Sequence, residues 1–280
     1  SLVGSEMCIR DRLLSLFLVL TLTVVLAACG NGSGDKDKKI VVGASPAPHA
    51  EILEKAKPLL KKKGYDLEIK TINDYTTPNK LLDKGELDAN YFQHVPYLKT
   101  ESKEKGYKIE DAGKVHLEPM AVYSKKYKSL KDLPKGATVY VSNNPAEQGR
   151  FLKFFVDEGL IKIKKGVKIE DAKFEDITEN KKDIKFNSKQ SAEYLPKIYQ
   201  NEDVDAAIIN SNYAIDQGLS PQKDSIAIEK PNNNPYANLI AVQKGHKDDE
   251  KIKALIEVLQ SKEIQDFIKD KYKGAVVPAK

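Results

Sequence analysis

Apolar and polar positions divide this chain into a short apolar leader and a long alternating body. Residues 13–26, LLSLFLVLTLTVVL, are broken only by Ser15, Thr21 and Thr23. As a helix the run rises about 21 Å, short of the ~30 Å hydrocarbon core of a bilayer, so it predicts a secretory signal rather than a permanent span. The next stretch, GNGSGDKDKK at 30–39, has nothing to bury and reads as a flexible tether. From Ile40 the pattern alternates. Ile40-Val41-Val42-Gly43 is a short strand, and residues 49–63 set Ile52, Leu53, Ala56, Leu59 and Leu60 on one helical face, stopped at Gly64. Leu67–Ile72 alternates as a strand, which makes a βαβ unit with a right-handed crossover.

The same reading predicts a helix near Pro78–Lys84, a strand at Leu87–Tyr91 and a helix at Val95–Lys105. A second set begins with a strand at Ala137–Val141, helices at Ala146–Glu158 and Ala192–Gln200, and strands at Val204–Asn210 and Ser225–Glu229. Tyr236–Val242 reads as another strand and Asp249–Tyr272 as two closing helices. No internal repeat is present. The fold class expected is α/β, with two lobes. Taking His116–Ser124 and Asn234–Val242 as hinge strands, lobe 1 is 40–122 plus 236–280 and lobe 2 is 123–235, with a ligand cleft between them.

Composition narrows the classes. Hydrophobic residues make up 40% and charged residues 31%, which describes a globular chain rather than a disordered one. The net charge of +5 is a small difference between 46 basic and 41 acidic residues spread along the length, against the concentrated patch of a nucleic-acid binder. The cysteines are Cys8 and Cys29, so the body has no disulfide, thiolate metal cage or cysteine nucleophile. Leu26-Ala27-Ala28-Cys29 resembles the lipobox of bacterial lipoproteins, in which the chain is cut before a lipidated Cys. That makes 1–28 a signal peptide and 29–39 a lipidated Cys29 with its tether. Residues 1–12 fit poorly, because Glu6 and Asp11 cancel Arg10 and Arg12; they look like translated cloning-adapter sequence and are set aside with Cys8.

Catalytic templates do poorly: G-x-S-x-G, H-E-x-x-H, the P-loop and G-x-G-x-x-G are all missing. His49, His94, His116 and His246 are scattered without metal-ligand spacing, so no metal, cofactor or catalytic residue is expected. One cation stands apart. Of 46 basic residues, Arg10 and Arg12 fall in the leader; of the 44 that remain, Arg150 alone is arginine. A chain this biased to Lys would supply surface charge as Lys, so Arg150 marks a site that needs a planar, bidentate grip on a carboxylate. It follows a strand end and polar turn, Val141-Ser142-Asn143-Asn144-Pro145-Ala146-Glu147-Gln148-Gly149, where backbone N–H groups can also meet an anion. Tyr91–Tyr97 gathers two Tyr, one Phe and one His at a strand-to-helix junction, with Asn73-Asp74-Tyr75 upstream. Asparagines cluster at Asn210-Ser211-Asn212 and Asn232–Asn238, and their amides can accept from an ammonium or donate to a carboxylate.

The segments Asn73-Asp74-Tyr75, Asp88–Leu98 (D-A-N-x-F-Q-H-x-P-Y within it), Gly149-Arg150, Asn210–Ala214 and Tyr236–Ile240 closely resemble the methionine-binding lipoproteins of ABC importers, the MetQ/NlpA family. The similarity runs from Lys39 to Lys280. It implies a two-lobe periplasmic-binding-protein fold, type II-like, that closes on L- or D-methionine or a short methionine peptide. It also implies delivery to an ABC permease with its ATPase, membrane attachment through the N-terminal lipid on the extracytoplasmic face, and a monomer that is not an enzyme. Carried over by position, the pocket falls on Tyr75, Phe92, His94, Tyr97, Arg150, Asn210 and Asn238. Arg150 would grip the α-carboxylate, Asn210 and Asn238 the polar end of the zwitterion, and the aromatics with His94 the thioether. The turn Asn143–Gln148 departs from the family pattern, which leaves free methionine and a methionine-containing dipeptide both open. Another amino acid, a metal-delivering lipoprotein and an exported enzyme on the same scaffold are the alternatives. The Lys bias points to an AT-rich Gram-positive genome.

Overall fold

The structure is a computed structural model that describes residues 38–232 and 234–279. The expected signal segment, Cys29 and most of the tether lie outside the described residues. β1 (Lys39–Ala44) leads through a turn at Pro46–Ala50 into α1 (Glu51–Lys62), which buries Ile52, Leu53, Ala56 and Leu60. These positions share one face because 3.6 residues make a turn. β2 (Asp66–Thr71), α2 (Thr77–Asp83), β3 (Ala89–His94), α3 (Val95–Lys105) and β4 (Ile109–Leu117) follow. The middle of the chain supplies β5 (Ala121–Tyr123), β6 (Thr138–Ser142), α4 (Gln148–Asp157), β7 (Ile161–Ile163), β8 (Ile177–Asn180) and β9 (Lys185–Gln190). It ends with α5 (Leu195–Asn201), β10 (Ala206–Ile209), α6 (Ser211–Asp216) and β11 (Ser225–Ile228). The closing elements are β12 (Ala237–Gln243), α7 (Glu250–Leu259), α8 (Lys262–Tyr272) and β13 (Val277–Pro278).

Two sheets organise the unit Ile40–Lys280. The first has the order β13-β4-β12-β3-β1-β2, with β1 and β3 parallel and β12 antiparallel to both β3 and β4. The second has the order β11-β5-β10-β6-β9, parallel from β10 through β6 to β9 and antiparallel at β5 and β11. Period-2 alternation feeds both faces of each sheet. Ile240 and Val242 pack with α1, α7 and α8, whereas Leu239 and Ala241 pack with α2 and α3. In the second sheet Val122, Ala206 and Ile208 face α4, while Ala121, Tyr123, Ala207 and Ile209 face α5 and α6. Helices thus cover both sides of both sheets, the arrangement that buries a strand's two faces.

The chain changes sheets at Glu118–Met120, between β4 and β5, and returns across Glu229–Tyr236, between β11 and β12. A lobe boundary after 122 falls inside β5, a strand of the second sheet, because Val122 and Tyr123 already pair with β10 and β11. The strand read at Leu87–Tyr91 runs instead from Ala89 to His94, and β4, β7, β8, β9, α6 and β13 have no counterpart in the sequence reading. β8 and β9 are mostly half-buried or exposed, so neither carries the apolar alternation that would reveal it. Among the described residues no helix is long and apolar enough to cross a membrane.

Candidate ligand-binding site

The site begins at the β3–α3 junction. Asn79, Asn90 and Gln93 are buried and bond to one another: Asn79 Nδ2 to Gln93 Oε1 at 3.0 Å, Asn90 Nδ2 to Asn79 Oδ1 at 2.8 Å, and Gln93 Nε2 to both neighbours at 2.7 and 2.9 Å. A satisfied amide ring of this kind fixes the end of β3 without leaving a polar group stranded. His94 then caps α3, accepting from the Tyr97 N–H at Nδ1, 3.2 Å away, with Pro96 in the first turn where no N–H is missed. With Nδ1 the acceptor, Nε2 carries the proton, and it stands 3.5 Å from Glu147 Oε1. Tyr75, Phe92 and Tyr97 form one wall, with ring centroids 5.8 to 6.1 Å apart, and Tyr97 donates its hydroxyl to the Tyr75 carbonyl at 2.9 Å.

The opposite wall is the turn between β6 and α4. Asn144 Oδ1 accepts from the Ala146 N–H at 3.0 Å, turning the backbone so that Glu147 and Arg150 face inward, both buried. Gly149 lets this wall form: a Cβ there would lie 2.0 Å from the Ile169 carbonyl oxygen. Arg150 Nε and Nη2 each donate to a different oxygen of Glu229 at 2.7 Å. Nη2 also donates to the Glu118 carbonyl at 3.0 Å, Nη1 to Glu147 Oε1 at 3.3 Å, and the guanidinium lies 4.3 Å over the Tyr236 ring. Arg150 therefore does make a bidentate carboxylate contact, but with a carboxylate of its own chain.

The third component was not legible in sequence. His49 and His116, read as scattered, meet with ring centroids 4.9 Å apart. Both direct Nε2 at Glu118 Oε1, at 3.3 Å from His49 and 2.7 Å from His116, and His49 Nε2 also lies 2.9 Å from Asn238 Oδ1. The Tyr91 hydroxyl pairs with His116 Nδ1. Two imidazoles and a carboxylate are also a donor set that could hold a divalent metal.

All seven expected residues, Tyr75, Phe92, His94, Tyr97, Arg150, Asn210 and Asn238, line one small cavity, together with Gln93, Glu118, Asn144, Glu147, Ser211 and Asn212. The two lobes touch across it: Tyr75 donates to Asn212 Oδ1 at 2.6 Å and Tyr213 to the Asn73 carbonyl at 3.0 Å. Asn210 Nδ2 donates to Glu147 Oε1 at 2.8 Å, whereas its Oδ1 is buried with no partner among the described residues. Glu118 and Glu147 were missed because carboxylates are frequent in this sequence and nothing in their spacing sets these two apart.

Burial governs the charges. It pushes the His49 and His116 rings down to about 4 and about 3, so both are neutral near pH 7. It pushes the Glu118 carboxyl up, against the pull of His49 and Arg150. Glu147 is equally buried, yet the His94 hydrogen bond and the Arg150 charge hold it below the usual range. Burial disfavours the Arg150 charge too, but Glu229 outweighs it and raises the guanidinium further.

Residues 40–280 match the profile of the NlpA lipoprotein family. The chain is 55% identical over 242 residues to the methionine-binding lipoprotein MetQ of Bacillus subtilis, covering 86% of this chain and 88% of that protein. A nutrient-binding protein from Burkholderia cenocepacia, solved bound to methionine, aligns with a TM-score of 0.80 at 43% identity, covering 86% of this chain and 100% of that one. A periplasmic substrate-binding protein of an ABC transporter from Coxiella burnetii aligns with a TM-score of 0.79 at 37% identity, covering 86% and 100%. The fold is the two-lobe periplasmic-binding-protein fold of these relatives. On the profile that spans its body and on relatives of this similarity over nearly their full length, the chain belongs to the NlpA lipoprotein family.

Proposed function

We propose that this protein is a solute-binding lipoprotein that captures one methionine between its lobes and hands it to the permease of an ABC importer. The observation that carries the reading is convergence: Tyr75, Phe92, His94 and Tyr97 from one lobe and Arg150 and Asn210 from the other line a single cavity with Asn238. Aromatic rings on one side suit a thioether, and amides with charged groups on the other suit a zwitterion. Burying the methionine side chain contributes about 2–3 kcal/mol, and the polar contacts supply the rest of the ~8 kcal/mol of a micromolar binder. A ligand that touches both lobes favours the closed form, because only that form makes both sets of contacts. In this reading the protein catalyses nothing. It acts as a monomer held by a lipid on Cys29 at the extracytoplasmic face of a Gram-positive membrane.

A methionine-containing dipeptide is the second reading. Two carboxylates, Glu118 and Glu147, line the cavity, which offers acceptors both for an ammonium and for the extra peptide N–H of a dipeptide.

Native mass spectrometry of the protein as purified, then after denaturation and dialysis, separates the readings. A retained adduct of methionine mass that returns on adding methionine supports the first, and a heavier adduct in the dipeptide range the second. Absence of any adduct, with no thermal shift from either ligand, would sink both.

A further inference from the structure

Among the described residues, one group of metal-ligating side chains converges: His49, His116 and Glu118, whose ligand atoms all lie within 4.8 Å of one another. No spacing in the sequence shows it, because the side chains meet through a sheet and not along one helix. His116 lies at the end of β4, Glu118 follows two positions on, and His49 comes from the turn before α1. A fourth donor stands beside them. Asn238 faces His116 in register on β12, and its Oδ1 lies 2.9 Å from His49 Nε2. The four residues are between 0% and 6% exposed. Glu118 Oε1 lies 3.3 Å from His49 Nε2 and 2.7 Å from His116 Nε2. Ligand atoms about 2.0–2.2 Å from a tetrahedral zinc ion stand roughly 3.3 Å apart, so the tightest of these pairs opens by about half an ångström to admit the ion. A second observation points the same way. The Tyr91 hydroxyl pairs with His116 Nδ1, and a partner on the far nitrogen is how a metal-bound histidine is usually held.

We propose that His49, His116, Glu118 and Asn238 form a structural zinc site. Four protein ligands and no open position are the mark of a structural rather than a catalytic zinc. The ion binds Nε2 of both rings, and each ring keeps its proton on Nδ1, where His116 donates it to the Tyr91 oxygen. Asn238 coordinates through Oδ1 and keeps its two Nδ2 hydrogens. Glu118 and Asn238 line the cavity, so the ion enters from there. Once bound it ties the turn before α1 to the end of β4 and the start of β12, beside the two places where the chain changes sheets, Glu118–Met120 and Glu229–Tyr236. The inference stands apart from the methionine reading, and neither needs the other.

Zinc titration tests this on the untagged full chain, with Cys8 and Cys29 alkylated so that no thiolate competes. The protein is stripped with EDTA, dialysed, and titrated with zinc chloride against a chromophoric chelator. One zinc per chain with submicromolar affinity is expected, and the melting temperature should rise with free zinc because the folded chain alone holds the four ligands together. Tyr91→Phe is expected to weaken zinc by about 10- to 100-fold through loss of the group behind His116. His49→Gln, which removes a ligand, should weaken it further. His246→Gln should change nothing, since that ring is exposed and paired with Asp249 at 2.9 Å. No zinc bound at micromolar concentration overturns the inference, as does equal affinity in wild type and His49→Gln. Loss of zinc on His246→Gln also overturns it, by placing the ion at the exposed pair. Should His49→Gln not fold, Tyr91→Phe and the melting shift of the wild-type protein decide.

Discussion

Arg150 and Glu229, 79 residues apart in sequence, form a buried two-point pair, with Nε and Nη2 of the guanidinium each 2.7 Å from a carboxylate oxygen. Glu229 stands where the chain returns to the first sheet, and the Glu118 carbonyl that Arg150 also bonds stands where it leaves. One side chain therefore ties both crossings to the start of α4. Arg150 is a structural clamp as well as the proposed ligand contact, and that changes what its removal should do.

Arg150→Ala leaves Glu229 and Glu147 buried without their cation. We expect a loss of about 3–5 kcal/mol of folding stability alongside weaker ligand binding. Replacing both partners, Arg150→Met with Glu229→Gln, should cost less than the single change, because no uncompensated charge is left at that pair. Urea melts of the three proteins read this directly. A single variant as stable as wild type would remove the clamp from the account.

Gly149→Ala should destabilise by about 2–4 kcal/mol through overpacking against backbone that has little freedom to move. The added Cβ would meet the Ile169 carbonyl oxygen at 2.0 Å. Thermal melts are the measurement, and an unchanged melting temperature would mean that the segment carrying Ile169 shifts freely.

Stability should fall with acid through the buried histidines. Folded values of about 4 for His49 and about 3 for His116 lie below the ordinary 6.5, so the unfolded chain binds the extra protons. Stability is then greatest above pH 6.5 and drops as pH falls toward 4 and 3, by up to about 1.4 kcal/mol per pH unit for each ring. Glu118 has the opposite sign: its raised value favours the folded state at low pH and costs stability as pH rises. Urea melts from pH 7 to 4 on wild type and His116→Gln isolate one ring. The variant's slope should be the flatter, and equal slopes would mean that His116 is charged in the fold.

Tyr75→Phe removes the hydroxyl that reaches Asn212 across the cleft at 2.6 Å. The ring stays, so the aromatic wall is kept and only the bridge between lobes is lost. One hydrogen bond is worth about 1 kcal/mol, which predicts roughly fivefold weaker methionine binding expressed mainly as faster release. Stopped-flow fluorescence measures the release rate, and an unchanged rate would show that the bridge is idle in closure.

Periodicity made α1, α7 and α8 legible, because one-sided burial leaves a local trace every three or four residues. It failed at β8 and β9, whose half-buried positions leave none. The cavity residues were nameable through the D-A-N-x-F-Q-H-x-P-Y segment and its relatives, and the lone Arg150 through composition. By itself, then, the sequence determined the alternation of helices and strands and set Arg150 apart from the lysines as a cation with a special place. Which carboxylate it grips, and that His49, His116 and Glu118 meet behind the cavity, only the tertiary structure decided. The physical reason is that pairing and burial of charges depend on groups dozens of residues apart, and no local pattern records which of many glutamates the fold will bring inside.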